Sequence, residues 1–346
     1  MTAVAGWDIG GAHLKVAQVE GEAIVAAEQL PCALWRGLDE LRRALGTALK
    51  GLADAQRHAV TMTGELVDVF SDRAAGVAAI LDVLAEFLPT SATAVYTANG
   101  KFVSTDRARA VPELVGSANW HATSRYLASR LRDGVLLDIG STTTDIVPFT
   151  EGRIAACGTT DVERLATGEL VYTGVVRTPL AAIAQEVPFD GRMVGVMAEF
   201  FATAADAHRL AGSLPEGADL HATADGRGKS LRESHARLAR MIGMDAAAAT
   251  ESAWRRLAEV FIHRQTTWIE IALERVLSGS DLATGAPVIG AGTGRFLAKE
   301  LARRFGRPYR DFGDTIEAQS PRLLSLASDI APAAAVALLR SREASA

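Results

Sequence analysis

Cysteine is scarce in this chain. Its 346 residues hold two, Cys32 and Cys157, far apart and without CxxC spacing. That excludes a disulfide framework and argues against a zinc site; both read as small buried side chains. No apolar run approaches the roughly 20 residues of a membrane-spanning helix. The N-terminus has no basic region followed by a small-residue cleavage site, so the cytoplasm is the expected compartment. There is no basic stripe of the kind nucleic-acid binders carry. The net charge is −5, spread along the chain without an acidic or basic tail. Aromatic residues make up 6%, and no low-complexity linker appears. What is abundant is apolar and small: 49% hydrophobic residues and 31 glycines. That suits an α/β protein with tight strand–helix turns, long enough for two domains.

The pattern of apolar residues predicts a strand over 4–9, with two more over 14–19 and 23–30 joined at Glu20-Gly21-Glu22. Helical spacing follows over 38–52 and 74–88, with short strands at 59–62 and 93–96 and a helix over 117–132. Then the pattern restarts. Strands are predicted over 134–139, 144–149 and 153–157, with Glu151-Gly152 as the hairpin. Irregular sequence over 160–195 reads as an insertion. Residues 199–278 are mostly helical, interrupted by a polar segment at 219–229; a strand over 287–290, a helix over 295–305 and an Ala-rich helix over 330–339 complete the chain. The repeated meander, offset by 130 residues from Asp8 to Asp138, implies a duplication. It divides the chain into 1–133 and 134–328, with the last helix, 329–342, expected to pack back on the first domain.

Three segments carry chemistry. In Asp8-Ile9-Gly10-Gly11-Ala12-His13-Leu14-Lys15 a buried strand ends in an acid, and glycines open the turn. Such glycines let backbone N–H groups approach an anion; Lys15 can meet a phosphate and Asp8 a metal ion. In Asp138-Ile139-Gly140-Ser141-Thr142-Thr143-Thr144-Asp145 the same strand context leads into hydroxyls that can donate to phosphate oxygens. Each alone is also an ordinary hairpin turn. The third, Gly290-Ala291-Gly292-Thr293-Gly294, turns into a helix and suits a phosphate or nucleoside. It lacks the βαβ context and acidic residue of a dinucleotide fold.

In order and spacing, the three segments resemble the phosphate-1, phosphate-2 and adenosine loops of the actin/sugar-kinase superfamily, over nearly the whole chain. The resemblance implies a duplicated RNase H-like α/β fold with a ligand cleft between its domains. It implies a metal, Mg2+, near Asp8 and Asp138, with Asp145 closing the second phosphate loop. A narrower resemblance rests on four segments: Met62-Thr63-Gly64-Glu65-Leu66, Ser117-Ala118-Asn119-Trp120-His121-Ala122, Arg177-Thr178-Pro179-Leu180 and Ala205-Asp206-Ala207-His208-Arg209-Leu210. These resemble the hydantoinase/oxoprolinase-like branch linked to tetrahydromethanopterin-dependent one-carbon metabolism. Its members join an aminomethyl-furan-methyl diphosphate to a phenol, releasing diphosphate. That implies a transferase making methylofuran, with the phenol of a tyramine or tyrosine type as acceptor.

On these grounds Asp8, Lys15, Asp138, Asp145, Glu65 and His121 are the candidate catalytic residues. Gly10, Gly11, Ala12, His13, Gly140, Ser141, Thr142 and Thr143 are candidates for phosphate binding. Asn119, Arg177, Gly290, Gly292, Thr293 and Gly294 are candidates for the substrate or nucleoside. Glu65 reads equally as a solvated helix-start carboxylate, and His121 as a cap or packing residue. Asp206 is a further acidic candidate, and 225–229 either a loop over the site or an exposed linker. His208, His263, Trp254 and Trp268 read as structural. The expected partner is a phosphorylated small molecule, with neither nucleic acid nor membrane called for. ATP binding and a homodimer stay open. An ATP-dependent small-molecule kinase of the same fold and a nucleotide-binding regulatory ATPase are the competing readings.

Overall fold

The computed structural model describes residues 3–52 and 55–343. Its first sheet starts with β1 (Ala3–Ile9), β2 (His13–Glu20) and β3 (Ala23–Pro31) in an antiparallel meander. β4 (Arg57–Met62) and β5 (Thr93–Tyr96) then add parallel to β1, and β6 (Phe102–Ser104) closes the edge. β1 is buried along its whole length, as a central strand covered on both faces must be. Trp7 is fully buried, and its indole N–H donates to His58 Nδ1 at 3.3 Å.

The second sheet repeats the plan. β7 (Gly134–Ile139) and β8 (Thr144–Thr150) are antiparallel, and the third strand is split. β9 (Arg153–Ile154) and β10 (Leu170–Val171) each pair with part of β8. The strand expected over 153–157 is therefore cut short. The amides of Cys157 and Gly158 donate instead to the Glu169 carboxylate, at 2.6 and 2.8 Å. β11 (Glu186–Phe189) and β12 (Arg192–Gly195) form a separate hairpin in the insertion. β13 (Val288–Ala291) lies parallel to β7, and β14 (Tyr309–Asp311) parallel to β13. Both sheets thus run meander, first strand, then two parallel strands, which is the duplicated RNase H-like arrangement.

The chain then returns. β15 (Glu317–Ala318) pairs parallel to the edge strand β3, so the crossing precedes residue 328, where the sequence placed it. Helix Pro321–Asp329 belongs to this return; it and β14, the edge of the second sheet, were unforeseen in the sequence. Helix Ala331–Glu343 packs on β1, β2 and β4, buried nearly all round by its alanines. Gly6 makes this close approach possible: a Cβ there would lie 2.2 Å from Ala333 O and 2.7 Å from Ala337 Cβ. The helix expected over 117–132 is shorter, Asn119–Ala128. Cys32 is buried as expected, its thiol pushed up to about 12 chiefly by burial, whereas Cys157 is exposed, correcting the sequence reading. Among the described residues no single helix is long and apolar enough to cross a membrane.

Candidate functional site

The β1–β2 and β7–β8 turns face each other across a cleft of about 730 Å³ lined by Gly10, Gly11, Ala12, His13 and Lys15 on one side and Gly140, Ser141, Thr142, Thr143 and Asp145 on the other. The turns close alike: the Gly10 N–H donates to His13 O at 2.9 Å and the Gly140 N–H to Thr143 O at 2.8 Å. His13 Nδ1 and Ser141 Oγ are 3.4 Å apart, bridging the two turns. The second turn is braced from below. Val175 N–H donates to Gly140 O and Arg177 N–H to Ser141 O, and a Cβ on Gly174 would lie 2.5 Å from Thr142 N. Gln265 Nε2 donates to Thr173 Oγ1 and Gly174 O, both at 2.8 Å, while its Oε1 lies 3.1 Å from His208 Nε2. His208 is thereby structural, as expected.

Charge is concentrated under the cleft floor. Asp8 is paired in register with Lys15, and Lys15 Nζ lies 3.1 Å from Asp8 Oδ2. Asp8 Oδ1 is buried without a hydrogen-bond partner. Burial works against the Lys15 charge, but Asp8, Asp138 and Asp145 outweigh it and raise its pKa. Asp138 is paired in register with Asp145. Burial pushes Asp138 up to about 7; Lys15 opposes this, while Asp145, Asp8 and Asp329 add to it. Burial also raises Asp145, against the pull of Arg164, whose Nη2 donates to Asp145 Oδ1 at 2.9 Å. Burial holds His13 well below the usual histidine value, and the nearby His221, Lys15 and Arg177 lower it further. His13 is therefore neutral at pH 7, with Nε2 buried and unpartnered.

Asp8 and Asp138 could hold a hard divalent cation. The unpaired Asp8 Oδ1 and the buried Asp138 carboxyl offer the oxygen donors that Mg2+ prefers. No group of three or more His, Cys, Asp or Glu converges for a metal among the described residues. Two carboxylates are nonetheless what Mg2+ commonly uses when phosphate oxygens complete its shell.

The remaining candidates divide. Asn119 and Arg177 line the cleft. Arg177 stacks over Trp35 at 4.5 Å and reaches Thr142 Oγ1 at 3.5 Å. Glu65 is fully buried behind the lining, joined to it through Ser117. His121 lies outside the cleft lining, its Nδ1 2.9 Å from the Tyr96 hydroxyl and its ring edge-on to Trp120. Burial drives its pKa down to about 4; its position matches the packing alternative. Gly290, Gly292, Thr293 and Gly294 also lie outside the lining. They pack against the second domain's interior: a Cβ on Gly292 would lie 2.4 Å from Asp138 Oδ1, and one on Gly290 2.5 Å from the Tyr309 hydroxyl. The following Arg295 is tied to Asp329, to Asp311 at 2.9 Å and to Ser325 Oγ at 2.9 Å. Asp206 caps its own helix and is held by Arg237 and Ser234 at 2.7 and 2.8 Å, away from the cleft. Residues 225–229 are bound to the helical insertion through Asp225–Arg237.

Sequence reasoning missed several residues that line the cleft or, like His221, stand beside it. Trp35 and His221 meet at 5.3 Å, and His221 meets His13 at 4.7 Å, so the 219–229 segment reaches across to the first domain. Asp161 and Arg164 sit on a short helix inside the stretch read as irregular. Its signal was present: Thr160-Asp161-Val162-Glu163 is a capping box. Leu66, Leu165 and Tyr172 expose apolar surface at the cleft, each about half exposed or more.

Residues 56–328 match the Hydantoinase/oxoprolinase family model. The chain belongs to this family. It is 32% identical over 244 residues to the (4-{4-[2-(gamma-L-glutamylamino)ethyl]phenoxymethyl}furan-2-yl)methanamine synthase of Methanocaldococcus jannaschii, covering 70% of this chain and 72% of that one. Against the enzyme of the same name from Methanococcus vannielii it is 31% identical over 168 residues, 48% of this chain and 73% of the other. Among solved structures, a nucleotide-free acetone carboxylase aligns with a TM-score of 0.59 at 12% identity, over 96% of this chain and 70% of that one. That likeness concerns the fold alone, a duplicated α/β architecture. The relatives' names make this family member an enzyme of a related synthase class.

Proposed function

We propose that the protein is a transferase of furan-carrier biosynthesis, a maker of methylofuran. It couples a furan-methyl diphosphate to a phenolic acceptor and releases diphosphate. The observation that carries this reading is the pair of facing anion turns over one lysine, opening onto an apolar-lined mouth. Diphosphate fits the turns: backbone amides of Gly11 and Ala12 and hydroxyls of Ser141, Thr142 and Thr143 offer donors, and Lys15 and Arg177 supply positive charge. The furan and phenol rings fit beside Leu66, Leu165 and Tyr172. A furfuryl carbon ionises readily because its ring oxygen delocalises the developing cation. Catalysis then consists mainly of stabilising the charge that gathers on the leaving diphosphate. Mg2+ held by Asp8 and Asp138, when bound, would neutralise part of that charge. The acceptor class follows the relatives, whose names contain a phenoxymethyl-furan linkage.

A kinase would need room for a nucleoside. The glycines that suggested one are packed against Asp138 and Tyr309, and Arg295 is engaged by two carboxylates. These contacts favour a reaction without ATP. The test is incubation with aminomethyl-furan-methyl diphosphate and tyramine, tyrosine or their glutamylated forms, with no nucleotide present. Diphosphate release in step with a phenoxymethyl-furan product, followed by mass spectrometry, is expected. Product that forms only with ATP, with ADP appearing alongside, would turn the reading to the kinase.

A further inference from the structure

The acid that the anion turns leave unexplained is Glu65. Its side chain is fully buried in space left by two glycines. A Cβ on Gly76 would lie 2.1 Å from Glu65 O, and one on Gly116 would lie 2.6 Å from Glu65 Oε1. Glu65 Oε2 has no hydrogen-bond partner. Oε1 lies 3.1 Å from Ser117 Oγ, and that same hydroxyl lies 3.1 Å from Asp161 Oδ2, on the other domain. Ser117 is held at φ 53. The other non-glycine residues with positive φ among those described, Glu151 and Asp190, sit in hairpin turns. Ser117 does not, and a left-handed conformation costs a non-glycine residue about 1 kcal/mol. The strain is spent on aiming a hydroxyl between two carboxylates.

A hydroxyl carries one proton and can donate to one of them. Arg73 decides which. Its Nη2 lies 2.5 Å from Asp161 Oδ2 and its Nε 3.8 Å from Glu65 Oε1. Asp161 is covered by the guanidinium, so the Ser117 proton points to Glu65. The charged groups facing Glu65 are thus Arg73, from helix Arg73–Phe87, and Asp161, from the opposite domain. Two carboxylates share one guanidinium and one hydroxyl, leaving the cluster one proton short of full pairing. Ser117 and Asp161 line the cleft with Leu66, Leu165 and Tyr172, and Glu65 stands behind them.

We propose, resting on the reading above, that Ser117 takes the proton of the acceptor hydroxyl and relays it to Glu65. As the acceptor oxygen's electron pair forms the bond to the furfuryl carbon, its proton moves to Ser117 Oγ and the Ser117 proton moves to Glu65 Oε1. The carbon–oxygen bond to diphosphate breaks, and diphosphate leaves with the electron pair. Glu65 afterwards returns the proton through Ser117 to water. Ser117 is the catalytic residue; Glu65, Asp161 and Arg73 position and charge it. Burial supports the role, pushing Glu65 up to about 6 against its own backbone amide, Arg73 and Ser117. It is thus ionised at neutral pH yet ready to accept a proton.

The test is kcat/KM for coupling with the full chain, measured from about pH 5 to 9. The wild type should show an acid limb centred near pH 6 that Glu65→Gln abolishes, with the rate about 100-fold lower. Ser117→Ala should lose a similar factor while binding of inorganic diphosphate, read by calorimetry, stays at the wild-type level. Asp161→Asn, which leaves Arg73 uncommitted, should shift the limb. If Glu65→Gln does not fold, the serine and aspartate variants carry the test. A Ser117→Ala enzyme with wild-type rate and profile would overturn the relay alone. A wild type that forms no product would overturn the transferase reading instead.

Discussion

In the first anion turn the residue seven places after the aspartate is Lys15; in the second it is Asp145. Both stand directly across the meander from their aspartate, Lys15 from Asp8 and Asp145 from Asp138. The backbones are near copies, closed by the same hydrogen bond to the residue three places on. One turn is therefore balanced by an internal salt bridge, and the other stacks two buried acids with Arg164 beneath them. Duplication supplied the frame, and one charge reversal made its halves unlike. The first turn presents an ion pair whose lysine can still donate a hydrogen bond to an anion. The second can accept a cation, because its acids repel each other and gain from any positive charge that arrives.

Removing the lysine should break this difference most severely. Lys15→Met leaves Asp8 as an uncompensated buried charge, which should cost about 3–5 kcal/mol in urea unfolding. Turnover should fall at least 100-fold, roughly what the loss of a strong charged donor to the leaving group costs. A fully active Lys15→Met protein would show that the two turns are not electrostatically distinct.

The second turn should respond to pH and metal in the opposite sense. A carboxylate whose folded pKa is raised, as Asp138 is to about 7, holds its proton in the native state after the unfolded chain has lost it. Its contribution is present below about pH 4 and is lost as pH rises through about 7. Asp138→Asn should therefore be more stable than wild type at pH 8, on the order of 1–3 kcal/mol. Millimolar Mg2+ should raise the wild-type melting temperature at that pH and leave Asp138→Asn unmoved. Equal pH dependence in the two proteins would remove Asp138 as the group at fault.

The smallest effect sharpens the comparison at the backbone. A Cβ on Gly10 would lie 2.9 Å from His13 O, whereas one on Gly140 would find its nearest atom, Thr143 O, at 3.4 Å. Gly10→Ala should cost about 1 kcal/mol and Gly140→Ala less than about 0.5 kcal/mol. Equal costs would mean that the first turn is no tighter than the second.

The duplication, the two meanders and the main anion-turn residues were legible because they depend on local signals. Alternating burial, a terminal aspartate and glycines in tight turns each act within a few residues. His121 and the 290–294 turn carried the same kinds of signal and proved to face inward, against Tyr96 and Asp138. A histidine at a helix start and a glycine-rich turn do not say which neighbour will fill the space beside them. Ser117, Asp161, Arg164 and His221 were not legible as site residues. Ser117 and Asp161 meet partners 44 to 88 residues away in sequence, Arg164 meets Asp145 19 residues away, and His221 comes from an insertion that reaches the first domain. The sequence alone determined which strands form and where each domain ends a strand in an aspartate and turns on glycines, because those choices are settled by neighbours along the chain. Only the tertiary structure decided that two domains would press Glu65, Ser117 and Asp161 together one proton short. Burial and charge pairing between distant segments belong to the packed molecule and to no stretch of it.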